Sequence, residues 1–219
     1  MRAIIDGTAI AFDGEVSIRA GAKRLGIEIP TPCFDPRVEP NGVCRICCVE
    51  VEGEVHPQIA CRTMLRDGMR VTTRSAALDA FRQEMLTLMA AHIRADAFAD
   101  QPDKEFHRLM RACGVAPGQK GRRPIRIDAS HPYIRVDMSQ CIECMRCVRI
   151  CADLEGQFVW HVLDRGEDMR VVPDSGTTLR ASTCVGCGAC SDTCPTGALT
   201  DKLHAAEGRV DGTTRTLCA

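Results

Sequence analysis

Two stretches of the chain carry the same cysteine spacing, and that duplication constrains the fold more than any other feature. Cys141, Cys144, Cys147 and Cys151 form C-x2-C-x2-C-x3-C; Cys184, Cys187, Cys190 and Cys194 repeat it, with Pro195 directly after. The other cysteines are Cys33, Cys44, Cys47, Cys48, Cys61, Cys113 and Cys218, which brings the total to 15 among 219 residues. An odd total, in a chain whose first ten residues lack the basic-then-apolar pattern of an export signal, argues against a disulfide framework. Thiols that stay reduced at such regular spacing point to metal.

Three cysteines two residues apart let one loop wrap a cubane and offer three thiolates to three irons, while backbone N–H groups of that loop face the sulfides. The fourth iron needs a thiolate from elsewhere, and in two-cluster ferredoxins the fourth cysteine of each run ligates the other cluster. Cys141, Cys144, Cys147 and Cys194 are therefore expected to hold one 4Fe-4S cluster, and Cys151, Cys184, Cys187 and Cys190 a second. Structural zinc also uses C-x2-C pairs, but it closes a tetrahedron with four ligands and has no need of a third cysteine at the same spacing.

Nearer the start, Cys33 is followed after ten residues by Cys44-x2-Cys47 and after thirteen more by Cys61. Four thiolates, two per iron, suit a 2Fe-2S cluster, although the first loop is longer than the plant-type C-x4-C-x2-C. The flanks read as a small β-rich fold: strands at 2–5 and 8–12 about a turn at Asp6-Gly7, an apolar-periodic helix at 16–25, an extended piece at 27–32, and a hairpin from 45–51 turning at Glu52-Gly53. Cys48 would point away from the ligand loop and is expected to be a buried small hydrophobe.

Composition narrows the function. With 45% hydrophobic residues, 26% charged and a net charge of −1, the chain is neither disordered nor a phosphate-driven nucleic-acid binder. No apolar run approaches the roughly 20 residues of a membrane span, and the cytoplasm is the expected location. Only one Trp, one Tyr and six Phe are available to fill a core, which leaves space for inorganic groups. No Ser/His/Asp set, dinucleotide fingerprint or P-loop occurs, so no substrate site, catalytic residue, NAD site or flavin site is expected.

The order of these motifs resembles the N-terminal iron-sulfur relay region of NAD-linked molybdenum or tungsten formate dehydrogenases, related to modules of iron-only hydrogenases and of the NADH dehydrogenase large subunit. The residues that carry the resemblance are Pro32-Cys33, Val43-Cys44-Arg45-Ile46-Cys47 and Ala60-Cys61, followed by the two ferredoxin runs. That family usually adds a His-x3-Cys-x2-Cys-x5-Cys site for a further 4Fe-4S cluster. Here His92 is followed at those offsets by Asp96, Ala99 and Glu105, so this cluster is expected to be missing. His92 then reads as a residue at a helix end, and Cys113 as core. The ending, which includes Thr216, Leu217 and Cys218, is similar to a segment that leads into the pterin-binding domain of fused relatives. The resemblance implies that the catalytic part is either a separate subunit or split from this chain at that boundary.

The expected class is α+β: a β-grasp 2Fe-2S ferredoxin-like domain (1–75), a helical connector (76–128), a bacterial two-cluster 4Fe-4S ferredoxin-like domain (129–204) and a tail (205–219). Strands are expected at 133–137, 158–163 and 170–172, and helices at 76–92 and 105–113. The basic run at 120–123 reads as a solvated loop. By resemblance, the partners are a molybdopterin (Mo/W) catalytic subunit and a flavin/NAD subunit, with the chain as an electron wire between them. A relay in a hydrogenase or NADH dehydrogenase-like complex, a redox or iron sensor, and a zinc-stapled interaction module are the alternatives. Arg146, inside the first run and matched by Ala189 in the second, is expected to raise the potential of the first cubane.

Overall fold

The computed structural model describes residues 1–118 and 126–203, apart from the side chain of Glu167. The basic run at 120–123 and the tail with Cys218 lie outside the described residues. Contacts divide the chain into two compact units, one of residues 1–34 and 40–86 and one of 35–39 and 87 onward.

The first unit opens with strands β1 (Arg2–Ile5) and β2 (Thr8–Ala11). They pair antiparallel about Asp6 and Gly7, both left-handed at φ 48° and 81°, as the twist of a two-residue hairpin requires. Helix α1 (Ile18–Arg24) starts at Ser17, whose hydroxyl accepts from the Ala20 N–H at 3.2 Å. Then come β3 (Cys48–Val51), β4 (Gln58–Ile59) and β5 (Arg70–Thr72). The sheet runs β2-β1-β5-β3-β4, with β1 and β5 parallel and the other pairs antiparallel. The buried cluster of this unit joins Ile5, Ile18, Ala22, Val49 and Val71 with Cys47 and Cys61. Gly21 lets the helix sit close: a Cβ there would lie 2.7 Å from the Leu65 side chain.

The hairpin strand expected from Arg45 starts only at Cys48. Residues 44–47 are a turn instead, with Arg45 left-handed at φ 59°, because the four thiols gather there. Cys48 is buried in β3, opposite Ile59.

Helix α2 (Ala76–Ala90) spans the division between the units. In the second unit follow α3 (Ala95–Asp100) and α4 (Glu105–Ala112), with Phe106 and Met110 fully buried. Cys113, expected as core, caps α4 and is only half-buried. Strands β6 (Ile127–Asp128) and β7 (Ile134–Asp137) come next. The first cysteine run leads into α5 (Arg146–Arg149), which continues as a π-helical turn over Ile150–Leu154. A hairpin of β8 (Trp160–Leu163) and β9 (Arg170–Pro173) separates the runs, and the second run leads into α6 (Ala189–Thr193) and β10 (Leu199–Asp201). The sheet order β10-β7-β6 brings the two ends of the ferredoxin-like unit together. Its core contains Ile134, Val136, Val171, Leu179 and Leu199 as well as Cys141, Cys151 and Cys190.

Candidate iron-sulfur sites

The two runs fold alike down to single backbone angles. In the first, Glu143 and Met145 are left-handed at φ 56° and 63°; in the second, Gly186 and Gly188 stand at the same offsets at 75° and 81°. This conformation turns backbone N–H groups inward. Glu143 N–H donates to the Cys141 sulfur and Gly186 N–H to the Cys184 sulfur, each at 3.4 Å. A side chain costs energy in that region and glycine does not, so the first loop carries strain that the second avoids.

Cys141, Cys144, Cys147 and Cys194 line one cavity, together with Ile142, Arg146 and Pro195. Cys151, Cys184, Cys187 and Cys190 line another, beside Val159, Trp160 and Val185. Each cavity takes three thiols from one run and one from the other. Burial pushes the Cys144 and Cys147 thiols far up, and neighbouring thiols add to it. Burial also raises Cys184 and Cys187, and it pushes Cys190 up to about 12 although the Trp160 indole N–H, donating to that sulfur, opposes the shift. Four thiolates in such a cavity need compensating positive charge, which is what a core of irons supplies, so the donor sets fit 4Fe-4S clusters. The loops differ in exposure: Ile142 is 7% exposed and its counterpart Val185 64%.

The N-terminal quartet sorts into two pairs. The Cys33 and Cys44 sulfurs lie 3.1 Å apart, and Cys47 and Cys61 are hydrogen-bonded thiol to thiol. Those contacts, with burial second, drive the Cys44 and Cys61 thiols up, while the Cys61 thiol holds Cys47 down. Two pairs of buried thiols fit a 2Fe-2S core, which takes two thiolates on each iron. Arg82 of α2, which sequence reasoning missed, holds the loop that carries Cys44 and Cys47. Its guanidinium donates to the carbonyls of Ile46 at 3.1 Å and of Cys48 and Thr73 at 2.7 Å. Among the described residues, no two cysteines form a disulfide.

At the offsets where the resembled family carries a further site, Asp96 pairs with Arg94 at 2.9 Å, and Glu105 grips Arg146 with both oxygens, at 2.7 and 2.8 Å. His92 follows the end of α2, its N–H donating to the Met89 carbonyl. Among the described residues, no helix is long and apolar enough to cross a membrane.

Residues 2–76 match the family described as a 2Fe-2S iron-sulfur cluster binding domain, and residues 131–200 the ferredoxin-like domain of NADH-quinone oxidoreductase subunit 3. Over 212 residues the chain is 37% identical to the NADPH-Fe(3+) oxidoreductase subunit alpha of Geobacter sulfurreducens, covering 94% of this chain and 24% of the relative. It is 32% identical to the NADP-reducing hydrogenase subunit HndD of Solidesulfovibrio fructosivorans, covering 90% and 35%. The chain thus spans about a quarter to a third of these curated relatives. A chain of the NAD+-reducing [NiFe]-hydrogenase crystal structure in the H2-reduced state superposes with a TM-score of 0.78 at 28% identity, covering 92% of this chain and 87% of that one. The chain thus joins a domain of the 2Fe-2S iron-sulfur cluster binding family to a ferredoxin-like domain of the NADH-quinone oxidoreductase subunit 3 family, and it is similar to subunits of NAD(P)-linked oxidoreductases.

Proposed function

We propose that the chain relays electrons within an NAD(P)-linked oxidoreductase complex of the cytoplasm, through one 2Fe-2S cluster on Cys33, Cys44, Cys47 and Cys61 and two 4Fe-4S clusters. The first 4Fe-4S ligand set is Cys141, Cys144, Cys147 and Cys194, and the second is Cys151, Cys184, Cys187 and Cys190. The observation that carries this reading is the sorting of eight cysteines into two cavities, each lined by three thiols of one run and one of the other. Bound clusters supply one-electron redox chemistry. The protein's own contribution is to hold the thiols, aim backbone N–H groups at sulfur and keep water out of the buried loop.

On the order of its motifs, the complex is a formate dehydrogenase, with a molybdopterin (Mo/W) catalytic subunit on one side and a flavin/NAD subunit on the other. A second reading, relay subunit of an NAD-linked hydrogenase, is favoured by the hydrogenase chain that superposes over nearly its whole length.

Metal analysis of anaerobically purified chain tests the relay: about ten irons and ten acid-labile sulfides are expected. About three zincs without sulfide would overturn it in favour of a zinc-stapled module. The subunit that copurifies then decides the complex: molybdenum or tungsten with formate oxidation supports the first reading, and nickel with hydrogen oxidation replaces it with the second. A sensor would be revealed by cluster oxidation that leaves the turnover of the complex unchanged.

A further inference from the structure

Arg146 is 7% exposed, at the first residue of α5 between Cys144 and Cys147, and it lines the first four-cysteine cavity. Its guanidinium makes a two-pronged pair with Glu105 of α4 and also donates to the Thr193 carbonyl at 3.2 Å. Thr193 directly precedes Cys194, the thiol that the second run lends to this cavity. The Thr193 hydroxyl donates to the buried carboxylate of Asp35 at 2.7 Å, and Asp35 is itself paired with Arg37 at 2.8 Å. One guanidinium therefore connects a connector helix, the first run and the residue before the lent thiol.

The charges of the pair do not cancel at the cavity. The Arg146 side chain is 8% exposed and that of Glu105 45%, so water screens the carboxylate more than the guanidinium. The carboxylate also lies on the side of Arg146 that is tied to α4. In the second run, Ala189 fills the position of Arg146, and no matching charge stands in that loop.

We propose that Glu105 and Arg146 act together as a positioning and charge-setting pair for the first cavity alone. Arg146 favours the reduced, more negative state of the bound group and fixes the backbone before Cys194, while Glu105 aims the guanidinium and limits its effect. This rests on the reading that the cavity holds a 4Fe-4S cluster.

The test is an EPR-monitored redox titration of full-length, anaerobically purified chain. Arg146→Gln is expected to weaken reduction of one cubane about tenfold, which is 59 mV for a one-electron couple. Glu105→Gln is expected to shift the same cubane in the opposite direction by less, and the double variant to fall between Arg146→Gln and the parent. The other cubane stays where it was in all three and serves as the internal control. Equal shifts of both cubanes, or no shift in Glu105→Gln with iron content intact, would overturn the pair. If Arg146→Gln does not fold, the half-exposed and near-isosteric Glu105→Gln decides alone. Failure of the underlying reading looks different: the unmodified chain would then give no reducible 4Fe-4S signal.

Discussion

Arg82 donates to the carbonyl of Ile46, the residue before Cys47, at 3.1 Å, although 36 positions separate them. A peptide carbonyl and the N–H that follows it point in opposite directions, so anchoring Ile46 O to the guanidinium turns the Cys47 N–H away from Arg82. Three carbonyls depend on this one buried cation.

Arg82→Met should therefore cost about 3 kcal/mol, since buried acceptors left without donors are penalised by roughly 1–3 kcal/mol each and some rearrange. Urea denaturation of the cluster-loaded chain, followed by visible absorption, measures it. A loss within about 0.5 kcal/mol of zero would show that water or another donor replaces the guanidinium.

Trp160 donates its indole N–H to the Cys190 sulfur. With Cys190 holding a cluster as proposed, a donor at that thiolate spreads negative charge and favours the reduced state. Trp160→Phe keeps most of the ring volume and should lower the potential of the second cubane while leaving the first unchanged, in the same EPR titration. An unmoved second cubane would refute this role.

Met145 and Gly188 hold the same left-handed position in the two runs. Gly188→Ala should destabilise the ferredoxin-like unit by about 1–2 kcal/mol, the cost of a Cβ in that region, whereas Met145→Gly should be close to neutral or stabilising. Thermal melts of the two variants, compared at equal iron content, should rank in that order. The reverse ranking would mean that the Met145 side chain contributes more by packing than its backbone costs.

His107 is fully buried, with Nδ1 2.7 Å from the Gln101 carbonyl. Burial lowers its pKa below the ordinary histidine value, and the carbonyl contact only partly opposes this. The unfolded chain therefore takes up this proton first as pH falls. Stability that is present above the unfolded pKa is lost between the unfolded and folded values. His107→Gln should flatten the decline in unfolding free energy between about pH 7 and pH 5. A decline of unchanged slope would assign it to other groups.

Removing iron should unfold the ferredoxin-like unit, because Cys141, Cys151 and Cys190 belong to its core and their cavities lose their filling. Chelation followed by circular dichroism and calorimetry should show the loss of one cooperative transition. Retained cooperative melting without iron would contradict this.

The cysteine spacing made much of the chemistry readable in advance. A C-x2-C-x2-C loop is local, and three positions two residues apart can converge whatever the rest of the chain does. The β1–β2 hairpin was equally local, because Asp6-Gly7 dictates its turn. Strand ends were less visible: β3 begins at Cys48 and not at Arg45, since the loop that carries Cys44 and Cys47 takes the preceding residues into a turn. Glu143 and Met145 gave no local sign of left-handed backbone; only their alignment with Gly186 and Gly188 hints at it.

Sequence alone therefore determined which residue types offer thiols, how the two runs repeat and where one family site lacks its cysteines. Tertiary structure brought Arg82 to the carbonyl of Ile46, Trp160 to Cys190 and Glu105 to Arg146. Those contacts join residues 30 to 41 positions apart. Side-chain type and spacing do not encode such pairs, because they form only when distant segments pack into one core and a buried charge or donor must find a partner there.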